Sequence, residues 1–525
     1  MSTCAPASFV PHAEALARAE RGLRELAAAR RDRCYPAFHI ASDGGWINDP
    51  NGLSYFGGRW HVFYQLHPFG PQWGTMHWGH VSSADLVTWR REPVALAPSL
   101  EVERAGVYSG SAVVGDYGRL RLFYTAHRWR NGRDEADGNQ EVQCAACSTD
   151  GTRFEKLGVV VDNPDDLRDF RDPKVLRRDG RWYMVVGRRS PDGHGEVVLY
   201  ASDDLDRWSW AGVLYRHPDP RVYMIECPDL FCLRAPDGDE RWVLFLSAMR
   251  SQAPADGADG ASKGEKGDEG AAAHDHVDTS GYLVGTWQPG EPFRPEGPAC
   301  PLDRGGSLYA PQTMEAPDGR RLVVGWMRPD GALDVQDDNW CGQLSVPREL
   351  TLGDDGALRS APARELAALR GPVRELGPLA LGAEEALTLT DDARTAEVAL
   401  SAPLGDSTSA ALALEAHVAE DGSCARVVVS PALRRVTLVR RSADGTDAVC
   451  GVAPLPPDAG EVTLRVLVDR DSVEVFVDGG REAISAYSLP VNGPRAVCLV
   501  AESDAAEVRT LAICELRSIG LDGRA

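Results

Sequence analysis

Long apolar runs are missing from this 525-residue chain: none of signal-peptide length stands at the N-terminus, and none anywhere is long enough to span a membrane. Positive charge is scarce as well. With 78 Asp and Glu against 56 Lys and Arg, the formal net charge is −22, which argues against nucleic acid or an anionic membrane as partner, since both demand basic surface. A disulfide framework is also lacking. The 12 cysteines are scattered, and Cys232, Cys498 and Cys514 lie in strand-like apolar runs, as packed thiols of a reducing compartment do. Cys144-x-x-Cys147 has no second pair, and His77-x-x-His80 and His274-x-His276 have no third ligand, so no metal site is expected. These absences predict a cytoplasmic protein.

What is present begins with a helix. From His12 to about Arg31 the chain is rich in Ala, Leu, Arg and Glu, with Leu16, Leu23 and Leu26 on one side, the pattern of a helix that docks on a larger body. Then a repeat sets in. A Gly-Arg-like turn followed by a β-rich run occurs at Gly58-Arg59, Gly118-Arg119, Gly180-Arg181, Glu240-Arg241 and Gly319-Arg320, with a period of roughly 60 residues. The last step is longer, by an acidic polar stretch that reads as a flexible insertion over residues 252–279. A second pattern keeps the same beat: Ser83-x-Asp85-x-x-x-Trp89, Ser148-x-Asp150-x-x-x-Phe154 and Ser202-x-Asp204-x-x-x-Trp208. Two patterns in register predict a five-bladed β-propeller rather than five unrelated hairpins.

Past about Glu349 the pattern changes to short alternating runs, such as Val462–Val468 and Val473–Val477, separated by Asp, Gly and Pro turns. Such spacing predicts a β-sandwich, read as a stabilising accessory domain with sugar binding as the alternative. The expected organisation is all-β: residues 1–36 an N-terminal helical segment, 37–350 the propeller, 351–375 a linker, and 376–525 the C-terminal β-sandwich.

Three motifs carry the chemistry: Trp46-Ile47-Asn48-Asp49-Pro50-Asn51-Gly52, Phe170-Arg171-Asp172-Pro173 and Glu226-Cys227-Pro228-Asp229. Each places a carboxylate within two residues of a proline, which stiffens the backbone around it. All three fall early in their repeats. If the early strand of each blade is the inner one, the acids reach the central channel from blades one, three and four. Two carboxylates in one pocket, one a nucleophile and one an acid/base, are the equipment for cleaving a glycosidic bond.

The chain resembles glycoside hydrolase family 32, the invertase and fructosidase group. The match runs through these motifs, Phe63-Tyr64-Gln65, Trp73-Gly74-x-Met76-His77-Trp78-Gly79-His80, Tyr108-Ser109-Gly110-Ser111, Tyr309-Ala310-Pro311-Gln312, Gly325-Trp326-Met327, Pro347-Arg348-Glu349-Leu350 and Ser472–Asp478. The resemblance implies a five-bladed propeller followed by a sandwich, retaining hydrolysis of terminal β-fructofuranosides, and no metal or organic cofactor. It is strongest to bacterial intracellular hydrolases of sucrose and sucrose 6-phosphate. Carried over, Asp49 matches the nucleophile, Glu226 the acid/base, and Asp172 the carboxylate that grips fructose hydroxyls. Asn48, Gln65, Trp73, Tyr108, Ser109 and Arg171 match substrate-lining positions, with Arg171 expected to neutralise Asp172. Trp46, Trp73 and Trp78 are candidates for stacking on sugar, and apolar neighbours are expected around Glu226. Two pairs depart from the family pattern: Ser307-Leu308 replaces Asp-Phe, and Leu66-His67 replaces an aromatic-Asn pair.

Alternatives remain at this stage: an exo-fructanase for inulin or levan, an inverting arabinan- or xylan-type propeller glycosidase, and a non-catalytic sugar-binding protein. Recognition of a 6-phosphate calls for basic side chains at the rim, and Arg128, Arg130 and Arg133 of blade two are the candidates.

Overall fold

The computed structural model describes residues 9–163, 165–251, 279–329, 336–405, 411–488, 493–502 and 504–521. The acidic insertion and His274-x-His276 lie outside the described residues, except that residue 279 already begins a strand, Thr279–Thr286. No helix of the described residues is long and apolar enough to cross a membrane.

Five antiparallel sheets follow one another along the chain, each opening on its innermost strand: Gly45–Phe56, Gly106–Val114, Phe170–Arg178, Val222–Arg234 and Leu308–Glu315. The first repeat has a plain cause. Gly58, Gly118, Gly180 and Gly319 have φ of +77°, +65°, +81° and +81°, a conformation that glycine adopts without strain in the hairpin joining inner and second strands. The second repeat caps the third strand. Ser83, Ser148 and Ser202 donate to Oδ1 of Asp85, Asp150 and Asp204. Each aspartate oxygen also accepts two backbone N–H groups, from Val87 and Thr88, Thr152 and Arg153, and Asp206 and Arg207. Each is an Asx turn in the bend to the fourth strand.

Polar contacts tie blade to blade around the channel. Gly110 N donates to Asn51 Oδ1 at 3.1 Å, Ser111 Oγ to Pro173 O at 2.8 Å, and Thr313 N to Asp229 Oδ2 at 2.7 Å. Lys174 and Asp229, both buried, pair at 2.8 Å. The ring closes where Trp340-Cys341 runs parallel to Gly45-Trp46 on the edge of blade one. Blade five takes its outer strands from Arg348–Leu352 and Leu358–Pro362. It therefore continues beyond residue 350 into the segment read as linker, because the Asp354-Asp355-Gly356 turn makes a hairpin there.

The helix His12–Ala28 packs on blade one through Leu16 and Leu23. Its Gly22 comes so close that an added Cβ would stand 2.5 Å from Pro68 O and 2.7 Å from the Phe69 ring. The C-terminal part is a sandwich of two six-stranded sheets around a core that includes Val398, Leu414, Val427, Val466, Val475 and Leu499.

Buried charge joins the domains. Arg348 of blade five bonds Asp303 Oδ2 at 2.9 Å and Glu474 Oε2 of the sandwich. His39, in the strap before blade one, bonds Glu474 Oε1 at 2.7 Å and Asp469 Oδ2 at 2.8 Å. Charges this deep are tolerated only when paired and hydrogen-bonded, so the network fixes how strap, propeller and sandwich dock.

Candidate active site

Every inner strand slips register where the motif residues sit. The ladder is interrupted between Ile47 and Pro50, Tyr108 and Gly110, Arg171 and Lys174, Glu226 and Asp229, and Tyr309 and Gln312. These are β-bulges, which bend a strand and re-aim its side chains. Three of the residues inside them, Asp172, Cys227 and Ala310, have φ of +68°, +46° and +49°, and each precedes a proline. A non-glycine residue in this region costs roughly 1–3 kcal/mol, and the surrounding contacts hold it there. The bulges turn Asp49, Ser109, Asp172 and Cys227 into one pocket.

Cys227 stands at its centre. Its Sγ lies 3.6 Å from Asp49 Oδ2 and 3.6 Å from Asp172 Oδ2, and its N–H donates to Asp172 Oδ2 at 2.9 Å. Ser109 Oγ donates to Asp49 Oδ2 at 2.6 Å. Burial pushes the Asp49 carboxyl up, with the charge of Glu226 adding to it, while hydrogen bonds from Ser109, Asn48 and Cys227 pull it down. Burial likewise pushes Asp172 up to about 8. Arg171 and the Cys227 N–H oppose this, and Glu226 and Asp49 reinforce it. Asp49 and Asp172, desolvated and close together, are thus hard to ionise at the same time, and hydrogen-bond donors from a bound sugar would favour their charged forms.

Glu226 is differently placed. Arg171 holds Oε1 with Nε at 3.1 Å and Nη2 at 2.9 Å, and the Tyr309 hydroxyl donates to Oε2 at 2.7 Å. The apolar surroundings expected for this acid are replaced by a guanidinium and a phenol. Arg171 itself departs from expectation. Its ion pairs are with Glu226, with Asp169 at 3.0 Å and with Glu141 at 3.5 Å, not with Asp172, which it influences only through space. The cause is the bulge, which sends Arg171 and Asp172 in different directions.

The other candidates separate by environment. Gln65 is buried, and neither Oε1 nor Nε2 finds a protein partner, as an amide reserved for a ligand would be. Asn48 accepts from Trp46 Nε1 at 2.9 Å. Tyr108 stacks on His127 with ring centroids 4.1 Å apart, and Trp73, 52% exposed, stands edge-on to it at 6.4 Å. Trp78 is wholly buried core, bonded through Nε1 to Tyr108 O, and Trp46 packs edge-on against Trp326. Of the basic trio, Arg130 is engaged by Asp166 at 2.5 Å and Arg128 donates to Gln140.

The sequence reading left Cys227, Tyr309, Asp169 and Glu141 out of the site. Two of them carry a signal in the sequence: Cys227 lies inside the Glu226-Cys227-Pro228-Asp229 motif, and Tyr309-Ala310-Pro311 falls at the phase of the other motifs.

Comparison with known proteins agrees with this architecture. Residues 39–362 match the glycosyl hydrolases family 32 N-terminal domain, and residues 365–515 the family 32 C-terminal domain. The chain is 35% identical to a sucrose-6-phosphate hydrolase of Escherichia coli over 503 residues, 95% of this chain and 98% of that one. It is 37% identical to a raffinose invertase of Escherichia coli over 488 residues, 93% and 96% of the two chains. Among solved structures, a GH32 beta-fructofuranosidase of Bombyx mori superposes with a TM-score of 0.79 at 28% identity, covering 97% of this chain and 99% of that one. A sucrose-6-phosphate hydrolase from Lactobacillus gasseri gives 0.78 at 25% identity, covering 95% and 97%. With both domains matched and the inner-strand motifs in place, the chain belongs to glycosyl hydrolase family 32.

Proposed function

We propose that this protein is a retaining β-fructofuranosidase that hydrolyses sucrose or sucrose 6-phosphate to fructose and glucose or glucose 6-phosphate. One observation carries the reading: three carboxylates from blades one, three and four meet at one pocket, two of them each 3.6 Å from the Cys227 thiol.

The roles follow from what each group touches. Glu226, protonated, gives its proton to the glycosidic oxygen as the bond to the fructose anomeric carbon breaks. Arg171 and Tyr309 stabilise the carboxylate that remains. Asp49 attacks the same carbon, forming a fructosyl ester and releasing the leaving sugar. Glu226 then takes a proton from water, whose oxygen bonds to the anomeric carbon as Asp49 departs, so the configuration is retained. Asp172, too buried to stay charged easily alone, accepts hydrogen bonds from fructose hydroxyls. Gln65 and Asn48 line the fructose, and Trp73 and Tyr108 line the mouth. Cys34, Cys144, Cys147, Cys227 and Cys424 are buried as free thiols, which supports a cytoplasmic protein acting on small sugars.

NMR of the first product tests the reaction. Fructose released from sucrose should appear as the β-furanose before it mutarotates. Initial α-furanose would mean inversion and the arabinan- or xylan-type chemistry.

A further inference from the structure

A cavity of about 610 Å³ opens between Ala37 of the strap, Pro372 of the connection between domains, and the sandwich. None of the three active-site carboxylates lines it. Four arginines do: Arg374, Arg394, Arg470 and Arg517, together with Asp392 and Glu515.

Three of these arginines have no carboxylate partner among the described residues. Arg374 donates to Leu389 O at 2.9 Å and Arg517 to Ala368 O, both neutral carbonyls. Arg394 makes no hydrogen bond or ion pair among the described residues. Nearby arginines find carboxylates: Arg370 pairs with Glu397 at 2.6 Å, and Arg465 with the same glutamate at 2.8 Å. Of the two acids in the lining, Asp392 accepts the backbone N–H of Arg495, a neutral donor, through Oδ1 at 3.1 Å. Burial holds the Arg495 guanidinium below its ordinary range; Cys34 and Asp471 oppose this, and the like charge of Arg394 adds to it. On a chain of net charge −22, a lining that sets four guanidinium groups against two carboxylates stands out.

Guanidinium forks match the oxygens of a phosphate in geometry as well as charge. The volume falls in the range of about 300–1,000 Å³ typical of small-ligand pockets, and Thr390 and Asp392 in the lining offer partners for hydroxyl groups. The geometry points to a second ligand site in this cleft, taking a phosphate group, either free or as a sugar monoester. This assignment stands independently of the reaction at the first site. A ligand here would bridge elements already joined by Arg470 to Tyr35 O at 2.9 Å and Ile519 N to Ala37 O at 3.0 Å, so binding stabilises the docked domains.

The full chain is titrated by calorimetry with glucose 6-phosphate, inorganic phosphate and glucose, and melted in the presence of each. Both phosphates should bind and raise Tm, and glucose should do neither. Tighter binding of glucose 6-phosphate assigns the sugar monoester as ligand, and equal binding assigns free phosphate. An Arg394→Ala, Arg517→Ala double variant should keep fructose release and weaken phosphate binding by about tenfold or more. Arg394→Gln alone, a single surface change, should weaken it in the same direction. Asp49→Asn should leave it intact, separating this site from the first. Absence of binding by both phosphates, glucose binding as tightly as its phosphate, or binding that survives the double substitution would overturn the assignment.

Discussion

Ser109 Oγ on blade two donates to Asp49 Oδ2 on blade one at 2.6 Å, so the proposed nucleophile is oriented by a neighbour from a different repeat. A hydrogen bond to a charged group is worth about 1.5–3 kcal/mol. Ser109→Ala should therefore lower kcat/KM for sucrose by about ten- to a hundredfold, with Tm little changed. Steady-state kinetics beside a melting curve checks it. An unaltered kcat/KM would mean that Asp49 does not depend on this bond.

Tyr309 makes a similar test of Glu226. Its hydroxyl is the donor to Oε2, opposite the Arg171 fork on Oε1. Tyr309→Phe should cut kcat by about ten- to a hundredfold and move KM much less, because the bond matters most when the proton leaves Glu226. A rise in KM with kcat unchanged would assign Tyr309 to sugar binding instead.

The departure at Leu66-His67 has a structural role. His67 Nδ1 bonds Gln72 O at 2.8 Å, and its ring packs so closely on Gly74 that an added Cβ there would sit 2.6 Å away. On its other side, the same rim loop leans on the N-terminal helix through Phe69. Trp73 is thereby held at the mouth. His67→Ala should raise KM for sucrose by about three- to tenfold and leave kcat within about twofold. Comparable losses in kcat would place the effect on the chemistry rather than on the rim.

Stability should depend on pH through the domain-joining network. Burial lowers His39, but hydrogen bonds to Asp469 and Glu474 outweigh it and raise its pKa from 6.5 to about 10. A histidine so raised contributes fully below its unfolded value and loses that contribution as pH rises toward 10. Asp471, pushed by burial from 3.8 to about 7, also binds its proton more tightly when folded, so its ionisation weakens the fold over that range. Glu474 has the opposite sense. Burial raises it, Arg348 and His39 outweigh this, and it falls to about 2, so its contribution is lost as pH drops below 4.5. Calorimetric Tm should be highest at about pH 4.5, decline as Asp471 ionises, and keep falling toward pH 9 as His39 loses its proton, and His39→Gln should flatten the alkaline part of the decline. A Tm that rises from pH 6.5 to 9 would contradict this.

Much of the fold was legible because it is periodic. The Gly-Arg turns and Ser-x-Asp caps recur with the blades, and their phase put Asp49, Asp172 and Glu226 early in their units, which are the inner strands. What stayed hidden depends on closing the ring. The bulge at Asp172 separates its side chain from that of Arg171, so sequence adjacency pointed to a pair that the structure does not form. The Tyr309–Glu226 bond spans two blades, and the His39–Asp469 contact links the strap before the propeller to the sandwich. No local spacing encodes either.

The most direct test of the account is fructose release from sucrose and from sucrose 6-phosphate, measured in parallel for the native protein and Asp49→Ala. The native protein should release fructose from at least one substrate, and the variant should be slower by about a thousandfold or more. Release from neither substrate, or an Asp49→Ala protein as active as the native one, would contradict it.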